Sequence, residues 1–162
     1  MAWVYYGAPL TNGYGGLVTN YGSYGFNGWL YDTTEFNDTD PGFFQSPTAV
    51  RHISMTPVFA DCVSHDASPE PSDLPSTDLY SGRQSSVGTA VFDTGDMRAF
   101  AIARHGSRPA SAAPRDFDIT SRLPGMIDMA LFDGHVENVP LENLWSYYWN
   151  AVWKIPNPRP GR

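Results

Sequence analysis

The sequence is poor in cysteine and in charged residues, and each shortage excludes a class of protein. Cys62 is the single cysteine among 162 residues, so the chain forms no internal disulfide and has no Cys-x-x-Cys metal or redox motif. It lies in the apolar run 57–63, which predicts a small buried side chain. Charged residues make up 17% of the chain, and 17 acidic against 10 basic side chains give a net charge of −7. Because an acidic surface repels phosphate backbones, we expect no nucleic-acid partner.

Long apolar runs and the common catalytic motifs are also missing from the sequence. No run approaches the roughly 18 residues that a membrane span requires. Residues 1–7 do not show the basic and then apolar pattern of a signal peptide. The sequence has no His-Glu-x-x-His zinc motif, no Gly-x-Ser-x-Gly nucleophile motif and no Gly-x-x-x-x-Gly-Lys phosphate-binding motif. We therefore expect that the chain is not an enzyme.

Glycine, proline and aromatic residues are abundant instead. There are 15 glycines and 14 prolines, and aromatic residues make up 14% of the chain. The length predicts a single globular domain, 1–162. The glycine- and aromatic-rich segment 1–31 predicts an N-terminal wrap over a neighbouring surface. The polar segments 64–89 and 107–122 predict long loops, and 154–162 predicts an extended tail.

Short apolar runs predict a small antiparallel sheet of about four strands. The runs 57–63 and 97–104 are typical of buried strands. The runs 126–132 and 135–139 flank an Asp-Gly pair at 133–134, which predicts a hairpin with a two-residue turn. With a helix after the last strand, the expected fold class is α+β.

The C-terminal helix is predicted from a proline and from the spacing of apolar residues. Pro140 suits the first turn of a helix. One helix face would then present Leu141, Leu144, Trp145, Tyr148 and Trp149. Together with Trp29 and Trp153, the aromatic residues of this face are candidates for packing or for an interface between subunits.

Histidine and aspartate stand at the ends of predicted strands. His105 and Asp133 each end a strand and each precede a glycine, and such residues commonly fix strand ends by hydrogen bonding. We expect them to lie within a few ångströms of each other or of Asp61. Arg104 is expected to pair with one of the carboxylates. The predicted structural motif comprises Asp61, Arg104, His105, Asp133, Gly134 and His135.

Two carboxylate-rich loops are candidates for binding calcium, although no cofactor is expected. Asp38 and Asp40 lie in one polar loop, and Asp93 and Asp96 lie in a later turn. Calcium takes oxygen ligands from flexible loops of this kind. The order of the residues does not match the helix-loop-helix calcium motif.

Five segments of the sequence, in the same order, resemble the globular part of a family of prepilin-like proteins. The signature of this family is a C-terminal His followed at a distance by Asp-Gly, and its members are abundant in planctomycete-type bacteria. The matching segments are S-Y-G-F-N-G-W-L-Y (23–31), T-P-V-F-A-D (56–61), D-L-Y-S-G (78–82), I-A-R-H-G (102–106) and L-P-G-M-I-D-M-A-L-F-D-G-H-V-E-N-V-P-L-E-N-L-W (123–145).

The resemblance implies a pilin- or pseudopilin-like head, in which an antiparallel sheet packs on a long N-terminal helix. It also implies a structural subunit that assembles with itself or with related subunits into an extracellular, cell-surface or periplasmic filament. Two features depart from the family. Its members usually have nine residues between His and Asp-Gly, whereas 27 lie between His105 and Asp133. The leader and the apolar N-terminal helix of family members have no counterpart in this sequence. We expect attachment to a membrane only through an N-terminal helix of that kind.

Two other interpretations remain open from the sequence. A carbohydrate-binding module would bind polysaccharide on exposed, coplanar aromatic rings. The candidates for that platform are Trp3, Tyr5, Tyr6, Tyr14, Tyr21, Trp29 and Trp153. A metal-dependent hydrolase would instead use histidine and aspartate ligands.

Overall fold

The computed structural model of the chain describes residues 3–5, 20–31, 39–82 and 96–162. Within these ranges the strands are β1 (Trp3–Tyr5), β2 (Asn20–Gly22), β3 (Tyr24–Asn27), β4 (Pro57–Asp61), β5 (Asp66–Ala67), β6 (Met126–Leu131) and β7 (Val136–Pro140). The α-helix is α1 (Met97–Phe100). Short 3₁₀ helices lie at Gly28–Leu30, Pro47–Ala49, Ile53–Met55, Ala110–Ala112 and Leu141–Ser146.

Strands β3 to β7 form one sheet in the order β5-β3-β4-β6-β7. Neighbouring strands are antiparallel except for β3 and β5, which are parallel. Strands β1 and β2 pair with each other as a separate antiparallel ribbon. The predicted α+β class is confirmed, but the sheet is mixed and has five strands where about four antiparallel strands were expected. Three of the predicted strands are present as β4, β6 and β7, whereas β3 and β5 were not predicted as strands. Strand β5 is only two residues long and lies within a polar segment without strand-like alternation.

Strand β6 shows why one face of the sheet belongs to the core. Ile127, Met129 and Leu131 are buried, whereas the residues between them are half-buried. Successive side chains of a strand point to opposite faces, so this alternation defines a buried inner face and an outer face. The core under the inner face includes α1 and the C-terminal tryptophans.

The hairpin predicted between β6 and β7 is present, with a longer turn than expected. The backbone N–H of Leu131 donates to the carbonyl of His135 at 2.9 Å, and the N–H of Gly134 donates to the carbonyl of Leu131 at 2.9 Å. Residues 132–134 therefore form a three-residue turn, not a two-residue one. Gly134 has a φ of +93°, the left-handed conformation that such a loop requires at its last position.

The strand predicted at 97–104 is wrong. Residues Met97–Phe100 form α1, and beyond it the chain continues in irregular structure to His105. There His105 and Met126, the first residue of β6, exchange two backbone hydrogen bonds of 2.9 Å. This bridge places His105 beside the start of β6. An apolar run of this length is compatible with a strand or with a buried helix, since periodicity alone does not separate the two.

The C-terminal helix is a 3₁₀ helix, Leu141–Ser146, shorter than the amphipathic helix expected. Trp145, Trp149 and Trp153 are buried, and so is Trp29 near the N-terminus. The indole N–H of each of these four donates to a backbone carbonyl. Tyr148 is half-buried, and its ring stacks on His52 with 3.7 Å between centroids.

The segments predicted as loops and tail are largely irregular where the structure describes them. Segment 64–89, described as far as residue 82, contains β5, and 107–122 contains the 3₁₀ helix Ala110–Ala112. No helix or strand falls within 154–162.

The N-terminal wrap predicted for 1–31 is only partly described by the structure. Its described residues form β1, β2, β3 and the 3₁₀ helix Gly28–Leu30, while the side chains of 1–22 lie outside the described part. Among the described residues, no helix has the length and apolar character needed to span a membrane.

Candidate functional site

The outer face of the sheet presents a row of apolar side chains, which we term the apolar row. It consists of Phe26, Phe59, Ala130 and Val136, one residue from each of four adjacent strands, and each is paired in register with the next. Directly paired residues lie on the same face of a sheet. Phe59 is 48% exposed and Val136 is 67% exposed. Contiguous exposed apolar residues on a protein surface are a common feature of interaction sites.

The aromatic rings of this face are tilted against each other. The ring of Phe26 lies 5.2 Å from that of Phe59 at an angle of 60°, and 5.0 Å from that of Tyr31 at an angle of 40°. A sugar-binding platform requires coplanar rings. Of the aromatic residues considered for such a platform, Trp29 and Trp153 are buried, and the side chains of the other five lie outside the described residues.

A groove continues from one end of the apolar row. It has a volume of about 450 Å³, and the apolar residues lining it include Phe26, Tyr31, Phe44, Val50, Val58 and Phe132. Phe26 belongs both to the row and to this groove. The apolar surface therefore extends from the sheet into a concave region beside β3 and β4.

A second row, two residues further along each strand, is polar. It consists of Tyr24, Asp61, Asp128 and Asn138, again one residue per strand. The backbone N–H of Asp128 donates to Oδ2 of Asp61 at 2.9 Å, and Nδ2 of Asn138 donates to Oδ1 of Asp128 at 2.8 Å. Both carboxylates are thus held in fixed positions by neighbouring strands.

His105 completes a cluster with these two carboxylates. Its Nε2 lies 2.9 Å from Oδ2 of Asp61 and 3.3 Å from Oδ2 of Asp128. Asp61 is buried, whereas the side chains of His105 and Asp128 remain partly exposed. We term these three residues the His–Asp cluster. The cluster lies on the outer face of the sheet, next to a small pocket of about 150 Å³ whose lining includes His105 and Ser107.

The structure brings together only part of the motif predicted from the sequence. His105 lies beside Asp61, whereas Asp133 contacts His135, with 2.6 Å between Oδ1 and Nδ1. Arg104 directly precedes His105 and is half-buried, and its pairing with a carboxylate stays a prediction. Asp128 was missed, because its alignment with Asp61 depends on the register of β4 against β6.

The pair formed by Asp133 and His135 lies at the turn of the hairpin. Desolvation raises the pKa of Asp133, but hydrogen bonds from the backbone N–H and the ring of His135 outweigh it, and the net shift is downward. The other ring nitrogen of His135 lies 3.9 Å from Glu137. The two carboxylates therefore sit on opposite sides of the ring and do not converge on one atom.

The calcium candidates are only partly described by the structure. Asp38 and Asp93 lie outside the described residues. Asp40 accepts the backbone N–H of Gly42 at 2.8 Å, and Asp96 accepts that of Ser68 at 2.8 Å. These are local contacts that fold the loops, and calcium binding stays a prediction.

No protein-family model, curated protein or solved structure matches the chain. Two features of the outer face bear on function. One is the apolar row with its groove, and the other is the His–Asp cluster.

Proposed function

We propose that the chain is the globular head of a pilin- or pseudopilin-like subunit, a non-enzymatic building block of a filament outside the cytoplasm. The observation that supports this function is the exposed apolar row on the outer face of the sheet. The resemblance of five sequence segments to prepilin-like heads points the same way. In such heads, a sheet packs against a long apolar helix.

The apolar row has dimensions that suit an α-helix. Neighbouring strands lie about 4.8 Å apart, so a row across four strands is about 14 Å wide. An α-helix with its side chains is about 10–12 Å in diameter. A helix that runs along the strands from the groove and ends over the row would cover Phe59 and Ala130, contact Phe26 and Val136 at its sides, and leave the polar row uncovered. We therefore assign an apolar helix of a pilin-like subunit as the occupant of this face.

Burial of the apolar row in an interface would stabilise the assembled subunits. Each large apolar side chain that passes from water into an interface contributes about 1.5–3 kcal/mol. Phe59 and Val136 are the most exposed members of the row and have the most to gain. The partners proposed are therefore copies of this chain or related pilin-like subunits, at the cell surface or in the periplasm.

The first test is the coding sequence immediately upstream of Met1. The proposal requires about 20 apolar residues preceded by a short basic leader that ends in glycine. An in-frame stop codon directly before Met1 would contradict it.

The second test uses the complete gene in its source organism and measures the protein in the sheared surface fraction by immunoblotting. Phe59→Asp places a charge in the apolar row and should remove the protein from this fraction. Val152→Asp is the matched control, because Val152 is similarly exposed, at 54% against 48% for Phe59, and lies outside the row. If both variants remain in the filament fraction, or if the wild-type protein never reaches it, the function is a different one.

A further inference from the structure

The His–Asp cluster brings three potential metal-ligand atoms together at one point. Nε2 of His105 and one carboxylate oxygen from each of Asp61 and Asp128 all lie within 4.8 Å of one another. The three residues come from β4, from β6 and from the segment that follows α1. Distant parts of the chain thus converge on a single position.

The hydrogen-bonding capacity of histidine does not account for this arrangement. Nε2 of an imidazole presents at most one proton, yet two carboxylate oxygens face it, at 2.9 and 3.3 Å. A single proton forms a good hydrogen bond with only one of them. The charge of a buried carboxylate such as Asp61 is offset either by an imidazolium or by a bound cation. A divalent cation would satisfy both oxygens and the nitrogen at once.

The distances fit the edges of a coordination polyhedron. Zinc and similar cations bind nitrogen and oxygen ligands at about 2.0–2.2 Å. Two such ligands are then separated by about 3 Å in octahedral geometry and by about 3.4 Å in tetrahedral geometry. The two separations that involve Nε2 of His105 fall near these values, and the third, between the two carboxylate oxygens, is within 4.8 Å.

The surroundings of the cluster resemble the supporting contacts of metal sites. Asp128 is oriented by the amide of Asn138, and Asp61 is oriented by the backbone N–H of Asp128. The side chain of His105 is 42% exposed, so positions of the ion that face solvent are free for water. Imidazole favours zinc-like cations and carboxylates favour manganese-like ones, so a mixed set accepts either.

We propose that Asp61, His105 and Asp128 bind one divalent transition cation, Mn²⁺ or Zn²⁺. The bound ion links the segment after α1 to the centre of the sheet. This site is independent of the filament function proposed above, because the apolar row does not contribute a ligand.

Isothermal titration calorimetry of the chelator-treated chain with Zn²⁺ alone, with Mn²⁺ alone and with Ca²⁺ alone tests the site. One equivalent of at least one of Zn²⁺ and Mn²⁺ should bind. His105→Gln and Asp128→Asn should each weaken binding at least tenfold. His135→Gln is the matched control and should leave affinity unchanged, because Asp133 and Glu137 lie at opposite ring nitrogens of His135. Circular dichroism establishes that each variant is folded.

A second measurement needs no variant. In the wild-type chain, titration with Zn²⁺ should shift the ring-nitrogen NMR signals of His105 and leave those of His135 in place. Three outcomes overturn the proposal. They are the absence of saturable binding by either ion, equal affinity of the wild type and of His105→Gln, and binding of Ca²⁺ in preference to both ions.

Discussion

Arg159 donates from Nε to Oε2 of Glu142 over 2.8 Å, and the side chain of Arg159 is buried while that of Glu142 is mostly buried. The same carboxylate oxygen accepts the backbone N–H of Leu123 at 2.9 Å. Further N–H groups of Arg159 donate to the carbonyls of Ile119 and Ser121. This one guanidinium therefore fastens the C-terminal tail to the second polar loop and to the C-terminal 3₁₀ helix.

Replacement of Arg159 is expected to destabilise the fold strongly. Arg159→Met keeps the aliphatic bulk but removes the buried partner of the Glu142 carboxylate, which then keeps only Arg162 and the N–H of Leu123, and it costs about 2 kcal/mol. Urea unfolding followed by circular dichroism measures the loss. Arg162→Ala is the control, because Arg162 contacts the same carboxylate from a half-exposed position and should cost less than about 1 kcal/mol. Equal and small losses for both variants would show that the Arg159 contact is not structural.

Glu142 should make stability depend on pH in the acidic range. Desolvation raises the pKa of this carboxyl, but hydrogen bonds from Arg159 and Leu123 outweigh it and hold the pKa below its ordinary value. The folded state then favours the ionised form. The resulting stabilisation is complete above the unfolded pKa, about 4.3, and is lost as the pH falls through the lower folded pKa.

The comparison that tests this pH dependence is between the wild type and Glu142→Gln, in urea titrations at pH 7, 5 and 3. The wild type should be the more stable protein at pH 7 and at pH 5. The difference should shrink at pH 3. A difference that grows towards low pH would mean that the folded pKa of Glu142 is raised.

The hairpin of β6 and β7 could be predicted from the sequence because its information is local. Ile127, Met129 and Leu131 alternate with less apolar residues, and an Asp-Gly pair follows within the turn. Only the length of the turn was wrong, since it depends on which residues pair at the end of β6. Side-chain alternation and turn chemistry therefore identify a hairpin more reliably than they fix its register.

The segment after residue 96 shows where this reasoning fails. Met97, Phe100 and Ile102 are all fully buried, so the alternation that would separate a helix from a strand is absent. The His–Asp cluster was only half predicted for a related reason. Asp61 and His105 were recognised at strand ends, but Asp128 joins them only through the pairing of β4 with β6. Such pairing is a tertiary contact that no local pattern encodes.

Cys62 is expected to resist chemical modification in the folded protein. It is fully buried, and desolvation raises the pKa of its thiol to about 12. Because the thiolate is the reactive form, the folded chain at pH 8 should not react with an aromatic disulfide reagent within an hour. In urea the same reagent should modify one thiol per chain. Rapid modification without urea would show that the strand end at Cys62 opens readily.

Asp96 is destabilising in its ionised form and offers a substitution that should increase stability. Desolvation raises the pKa of Asp96, and the neighbouring charges of Asp73 and Asp66 add to the effect. A raised folded pKa means that the unfavourable contribution is present at neutral pH and is relieved as the pH falls. Asp96→Asn removes the charge and retains an oxygen to accept the N–H of Ser68. It should stabilise the fold by about 0.5 kcal/mol at pH 7.

Paired urea titrations at pH 7 and pH 4 test both the sign and the pH dependence of this gain, which should be smaller at pH 4. Asp118→Asn provides a control of opposite sign. Hydrogen bonds from Thr120, and then from Ser121, lower the pKa of Asp118, so its ionised form is stabilised by folding. Its replacement should therefore reduce stability at pH 7 rather than increase it. If Asp96→Asn destabilised the chain at both pH values, its hydrogen bond to Ser68 would outweigh the repulsion from Asp73 and Asp66, and Asp96 would be a structural carboxylate rather than a strained one.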